Sequence, residues 1–489
     1  MSGSNTRAGT RGTDDADASA AAVDPLDPDP SPLFPQLKAR RNASPEAVAK
    51  HQRARLHAAM IHLCSTRGYG RVTVNGLARA AGVSKKTLYR HFDNKEACFL
   101  ATYDLVVRQA VGRISAAYRD EEAGRERDWA AGLCRAFDAF AQELIEQPAS
   151  SRLALLDVLA VAPSAAARIE RSEALFTTMI AKSFQQAPDG AAIPAEMIRP
   201  LIGGIWFVAR SRLLEGNPQA ISTCGPELGE WLLAYRSPAC SRLPAAQLAN
   251  SARLRLDERR RRAAGERARM LQAAAEIIAG GGYPALARRP VTQTASPSAT
   301  VVAAEFDDVP ACFLDLLGWL GGEILPAALR ESEDAPSWAS GICRAVDAFF
   351  SGIASDPTVV GAGFLDAFAA GPDEAERGVA IMRAFAEILT RRMPPALRPS
   401  PLVVEAVLGS VWSIARRHVV CGRERLLPVA SARAAFIVLA PVLGPDAALA
   451  AIRAEYDPYP RRGRGTPLAR DAARPTSPAQ PAFASTAPA

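Results

Sequence analysis

The stretch TVNGLARAAGVSKKTLYRHFDNKEACFLA, residues 73–101, decides how this chain is read. Thr73 stands before a short run in which Leu77 and Ala81 lie four residues apart, so it can cap a helix that faces inward at those two positions. Gly82 follows where the chain must turn, and glycine takes a positive φ there without the steric cost that other residues bear. Ser84 is a second cap, and Leu88 and Phe92 repeat the inward spacing on a second helix. Two short helices about one tight turn have the layout of a helix-turn-helix. Lys85, Lys86, Thr87, Tyr89 and His91 are then left near the N-terminal, outward side of the second helix. A recognition helix in the major groove reads base edges with its first residues. Lysine donates to guanine O6 and N7 there, and hydroxyls meet phosphates or base edges.

From Gly68 to Glu96 the chain carries the run G-Y-x-x-V-T-V-x-x-L-A-x-x-A-G-V-S-x-x-T-L-Y-x-H-F-x-x-K-E. That run resembles the TetR family of bacterial transcriptional regulators. The resemblance implies that Lys85, Lys86 and Thr87 face bases, with Asn75 on the preceding helix a weaker candidate. It implies phosphate contacts from Thr73, Tyr89, His91 and Lys95, with a satisfied surface histidine as the lesser reading of His91. The later helices match the family only in layout, as an all-α domain that binds a small effector and dimerises through its last helices.

Outward from this motif the chain repeats itself. Residues 53–100 align without a gap to 267–314, an offset of 214 (267 − 53), and both copies end in ACFL. WAAGLCRAFDAF (129–140) returns as WASGICRAVDAF (338–349) at an offset of 209, and GGIWFVARSRLLEG (203–216) as GSVWSIARRHVVCG (409–422) at 206. Three blocks in one order indicate an old internal duplication. Trp129, Leu133, Phe137, Phe140 and Leu144 form one apolar stripe, and Trp338, Ile342, Val346, Phe349 and Ile353 repeat its steps.

The second copy keeps its packing letters and discards its cations. Lys85-Lys86-Thr87 becomes Ala299-Thr300-Val301, Tyr89 becomes Ala303, and Glu305 and Asp308 add negative charge. Affinity for nucleic acid rests largely on cation–phosphate contacts, so this second head is expected to repel DNA. Arg259–Arg262, just before it, read as a solvated helix start or as a nonspecific phosphate contact.

Composition narrows the class. The formal charge of +7 over 489 residues is modest, and its meaning comes from clustering at Lys38–Arg55, Lys85–Arg90, Arg253–Arg269 and Arg461–Arg470. Eight scattered cysteines without a CxxC or a Cys/His cluster give no metal site or disulfide framework, and are expected as buried thiols. The N-terminus lacks the apolar segment of a secretory signal, and no apolar run is expected to reach the ~18 residues of a membrane span. A cytoplasmic protein is the expectation. Nucleophile elbow, P-loop and Ser/His/Asp patterns are missing, so neither an enzyme nor a cofactor is expected.

The expected fold is all-α, with two TetR-like units in tandem. A disordered arm covers residues 1–43, and a helix-turn-helix domain 44–104. A first helical regulatory domain covers 105–244, a degenerate helix-turn-helix-like domain 245–316, a second regulatory domain 317–457, and a disordered tail 458–489. The halves are expected to pair as a pseudo-dimer through helices around 203–214 and 409–420, where Trp206/Trp412 and Arg210/Arg416 match. The two arginines read as ion-pair formers or as an effector-anion site. The expected function is a sequence-specific DNA-binding regulator, by resemblance a repressor, that reads DNA with its first helix-turn-helix only. Its partners would be a double-stranded DNA operator, a small-molecule effector and a second copy on DNA, with no membrane. The competing reading is an interaction protein that sequesters a partner through its degenerate half.

Overall fold

Helix α1, Pro45–Arg67, starts where the Ser44 hydroxyl accepts from the Ala47 amide at 3.2 Å and stops at Gly68, whose φ is 74°. Both signals stand in the sequence: a hydroxyl with proline after it, then a glycine in a conformation that disfavours a side chain. The structure, a computed structural model, describes residues 44–119, 129–185, 193–222, 224–244, 328–333, 335–355 and 393–456, with scattered positions in 271–277 and 380–390. Every regular element among the described residues is helical. The second helix-turn-helix-like segment, Arg259–Arg262, the N-terminal arm and the tail beyond 456 lie outside those residues.

A 3-10 turn at Tyr69–Arg71 leads to α2 (Val74–Ala80) and α3 (Lys85–His91). Then follow α4 (Lys95–Arg119), α5 (Trp129–Glu146), α6 (Pro148–Leu155), α7 (Ala162–Gln185), α8 (Ala195–Leu214) and α9 (Gly225–Leu233). Further along the chain stand α10 (Trp338–Ser355), α11 (Pro401–Val420), α12 (Ser431–Leu443) and α13 (Pro445–Tyr456).

The apolar stripe of α5 faces inward as its spacing requires, with Leu133, Phe137 and Leu144 buried and Phe140 half-buried. On α10 the same steps bury Ile342, Val346, Phe349 and Ile353, while the half-buried Trp338 donates from Nε1 to the Leu389 carbonyl at 3.3 Å. Each large apolar side chain so buried contributes roughly 1.5–3 kcal/mol.

Helices α8 and α11 pack against each other along their glycines. A Cβ placed on Gly203 would fall 2.3 Å from the Ser413 Cβ, and one on Gly409 would fall 2.4 Å from the Phe207 Cβ. These two contacts exchange under the 206-residue offset, since 203 matches 409 and 207 matches 413. Gly204 meets Ser410, its own counterpart, near the centre of the crossing. The contacts at this crossing are thus reciprocal under that offset. Around it, Arg212 pairs with Glu405 at 2.9 Å, the Tyr235 hydroxyl donates to the Ile437 carbonyl at 2.7 Å, and Arg453 donates to the Arg242 carbonyl at 3.1 Å.

Two expectations need correction. Glu424–Leu443 is a helical run long and apolar enough, by composition, to cross a membrane. Its members Ala434, Phe436, Ile437 and Leu439 are wholly buried among other helices, which is how an apolar core helix sits. The cysteines are not uniformly buried either: Cys134 and Cys421 are exposed, while Cys64, Cys98, Cys224, Cys240 and Cys343 are buried.

Candidate nucleic-acid interface

The Thr73 side chain accepts from the Gly76 amide at 3.0 Å and so starts α2, while Ser84 accepts from the Thr87 amide at 3.1 Å and starts α3. Between them Gly82 holds φ 59°, and the amides of Gly82 and Val83 reach back to the Arg79 and Ala78 carbonyls, both at 2.9 Å. Leu77, Ala78, Ala80, Ala81 and Leu88 close the space under the turn and are buried. The inward side of α3 rests on Leu88 alone, because the helix ends at His91 and Phe92 leaves it in an extended, half-buried conformation. This refines the expected pairing of Leu88 with Phe92 across one helical turn.

With Leu88 inward, the opposite side of α3 is free. Lys85, Lys86 and Tyr89 are exposed, Tyr89 at 52 %, which is high for an aromatic ring. Asn75 on α2 is exposed as well. Thr87 is half-buried, and its hydroxyl lies 2.9 Å from the Ser84 hydroxyl, so this side chain shares in capping its own helix.

His91 and Lys95 are tied into the domain. His91 Nε2 lies 2.9 Å from Gln52 Oε1 on α1. Burial, together with Arg53 and Arg90, lowers its pKa, which favours the neutral ring. Lys95 donates to the Val72 carbonyl at 2.8 Å and stands 4.3 Å from the centre of the Tyr69 ring. Burial lowers its pKa as well. Lys95 therefore clamps the 69–72 turn to the start of α4, a role its place in the motif does not announce.

Two further residues hold this head and were not picked out from the sequence. Arg55 is buried and donates to the Gly82 carbonyl at 2.7 Å, fastening the turn to α1. Its signal was a cation interrupting the apolar side of α1. Asp157, just after α6, accepts from the Tyr69 amide at 3.1 Å and faces Arg152 at 3.9 Å. No local pattern marks Asp157, because its partner lies 88 residues away. Of the matched arginines, Arg210 is buried and donates from Nε to the Leu155 carbonyl at 2.7 Å. Burial and the neighbouring Arg416 lower the pKa of Arg210 to about 9.

Residues 56–102 match the family model of bacterial regulatory proteins, tetR family. Among solved structures, a TetR family transcription regulator from Marinobacter aquaeolei VT8 is similar at 18% identity, over 37% of this chain and 95% of that one, with a TM-score of 0.30. A TetR-like transcriptional regulator from Rhodococcus sp. RHA1 is 20% identical over 39% of this chain and 99% of its own, with a TM-score of 0.32. The fatty acid degradation regulator FadR from Bacillus halodurans is 15% identical over 39% and 96%, with a TM-score of 0.33. No curated protein matches the chain. Residues 56–102, with their two capped helices about Gly82, form a DNA-binding domain of the TetR family.

Proposed function

We propose that this chain is a sequence-specific, effector-responsive repressor that reads its operator with the first helix-turn-helix only. The observation that carries the reading is α3 itself: Leu88 is wholly buried while Lys85, Lys86 and Tyr89 stand exposed on the other side. Lys85, Lys86 and Thr87 reach base edges, with Asn75 beside them. Thr73, Tyr89, His91 and Lys95 serve the phosphates, Lys95 while still clamping its turn.

The second head is silent, because its sequence lacks the cations and gains Glu305 and Asp308. The two halves act as a pseudo-dimer and descend from a tandem duplication. The reciprocal contacts of Gly203 with Ser413 and of Gly409 with Phe207 support this reading. Domain limits follow the repeat, at 44–104, 105–244, 245–316 and 317–457, and the protein works in the cytoplasm.

Genomic footprinting with wild type and with Lys86→Ala tests the proposal. Wild type should protect a defined set of sites, and the variant should protect a broader set that shares all but one or two base pairs. Absence of any defined site would refute it.

A further inference from the structure

The two halves enclose corresponding cavities that differ in what they hold. In the first half, Phe137, Phe140 and Trp206 border a void of about 30 Å³. In the second, their repeat partners Val346, Phe349 and Trp412 border one of about 70 Å³. Counted with its mouth open to solvent, the unfilled space is about 760 Å³ in the second half against about 380 Å³ in the first. One difference between the copies runs in that direction: the isopropyl group of Val346 matches the benzyl group of Phe137 in the repeat.

The lining sets the ligand class. Among the described residues no charged side chain borders the second-half cavity, and the indole N–H of Trp338 is already given to the Leu389 carbonyl. A charged ligand would lose its hydration there without a partner. Another void of the first half, about 50 Å³, differs in kind: Glu143 and the hydrogen-bonded pair Tyr103–Ser172 border it. Phe176 and Trp206 border both first-half voids, edge to face at 5.9 Å.

The cavity wall is also the partner of the first half. Trp412 and Val411 line the void from α11, while Gly409 and Ser410 on the same helix press against Phe207 and Gly204 of α8. A contact with no slack moves both helices together when one is displaced. From α8 the contacts continue: Arg210 holds the Leu155 carbonyl on α6, and Asp157 just beyond holds the Tyr69 amide beside the reading head.

We propose that the effector site of this protein lies in its second half, between α10 and α11, that it takes an uncharged apolar molecule, and that occupancy is relayed through α11 and α8 to the helix-turn-helix of the first half. The half that does not read DNA thus senses for the half that does. The relay rests on the reading of the first helix-turn-helix given above, whereas the cavity assignment does not.

The test uses the full-length protein and N-phenyl-1-naphthylamine, an uncharged probe that fluoresces in apolar sites. Wild type is expected to bind one probe per chain. Val346→Phe, which installs the ring found in the first half, should weaken binding at least tenfold, and Phe137→Val should leave that site intact. Ala345→Leu narrows the same cavity and replaces Val346→Phe if the latter loses its helical circular dichroism. Binding that ignores both second-half variants, or no probe binding at all, overturns the assignment. Saturating probe should also weaken binding to a footprinted site in wild type and leave Val346→Phe unchanged. Probe binding that depends on Val346 with no effect on DNA affinity refutes the relay. Probe binding with no specific DNA binding refutes the reading of the head and leaves the cavity assigned.

Discussion

Asp157 accepts the Tyr69 amide at 3.1 Å, and so joins the end of α6 to the turn that enters the helix-turn-helix. The same turn is held from the other side by Lys95, which donates to the Val72 carbonyl at 2.8 Å and covers the Tyr69 ring. Tyr69 completes the junction by packing edge-on against Phe99, with ring centres 4.7 Å apart. The helix-turn-helix is thereby tied to the end of α6 by a buried carboxylate.

That carboxylate gives a pH dependence of definite sign. Burial raises the Asp157 pKa from 3.8 to about 6, against the opposing pull of Arg152 and the Tyr69 amide. Between those values the folded chain keeps a proton that the unfolded chain has released, so stability falls as pH rises from about 4 to about 6. The cost, fully present above that window, is on the order of 2–3 kcal/mol. Asp157→Asn keeps an acceptor for Tyr69 without the charge, and should remove that part of the slope. Urea unfolding of both proteins at pH 4.5 and 7.5 checks this: the variant should gain on wild type at the higher pH. An unchanged difference between the two pH values would contradict it.

Lys86 and Lys95 should fail differently. Lys86→Ala, on the exposed side of α3, should relax preference at one or two base pairs, at about 1–3 kcal/mol of discrimination, with folding unchanged. Lys95→Ala should weaken binding evenly across sequences and reduce the salt slope by roughly one phosphate. It should also lower stability by about 1–3 kcal/mol, because the Val72 carbonyl loses its donor. Fluorescence anisotropy at several salt concentrations, paired with thermal unfolding, separates the two. A Lys95→Ala protein as stable as wild type would show that the clamp contributes nothing.

The crossing of α8 with α11 should be intolerant of bulk. A Cβ on Gly204 would sit 2.2 Å from the Ala406 carbonyl oxygen, which is backbone and cannot swing aside. Gly204→Ala should therefore force the helices apart and destabilise the fold by roughly 1–3 kcal/mol, despite the better helix propensity of alanine. Gly112→Ala, where nothing lies within 4 Å, is the control and should be neutral or stabilising. Chemical denaturation of the pair decides it.

If only the first head reads DNA, one chain holds one half-site, burying ~600–1,000 Å² as single modules do. Specific control is expected to need two heads one helical turn apart, or a multiple of it, and hence two chains on a palindromic site. Native mass measurement of the protein–operator complex should give two chains per duplex. A single chain bound tightly to an asymmetric site would mean that the duplication has replaced the dimer.

By itself, the sequence determined the features set by short-range chemistry. Ser44, Thr73 and Ser84 cap the helices they precede, Gly68 and Gly82 take the positive φ their positions require, and Leu88 goes inside as its spacing demands. Each depends on neighbours within four residues, so a local pattern carries it. The repeats also named the helices that meet, since Gly203 and Gly409 stand at matched places. Only the tertiary structure decided which groups close the domain. Arg55 finds Gly82, Lys95 finds Val72, and Asp157 finds Tyr69 across long stretches of chain, and no periodicity encodes such pairings. It alone decided, too, that Val346 borders a larger void than Phe137 does, because a void depends on everything packed around it.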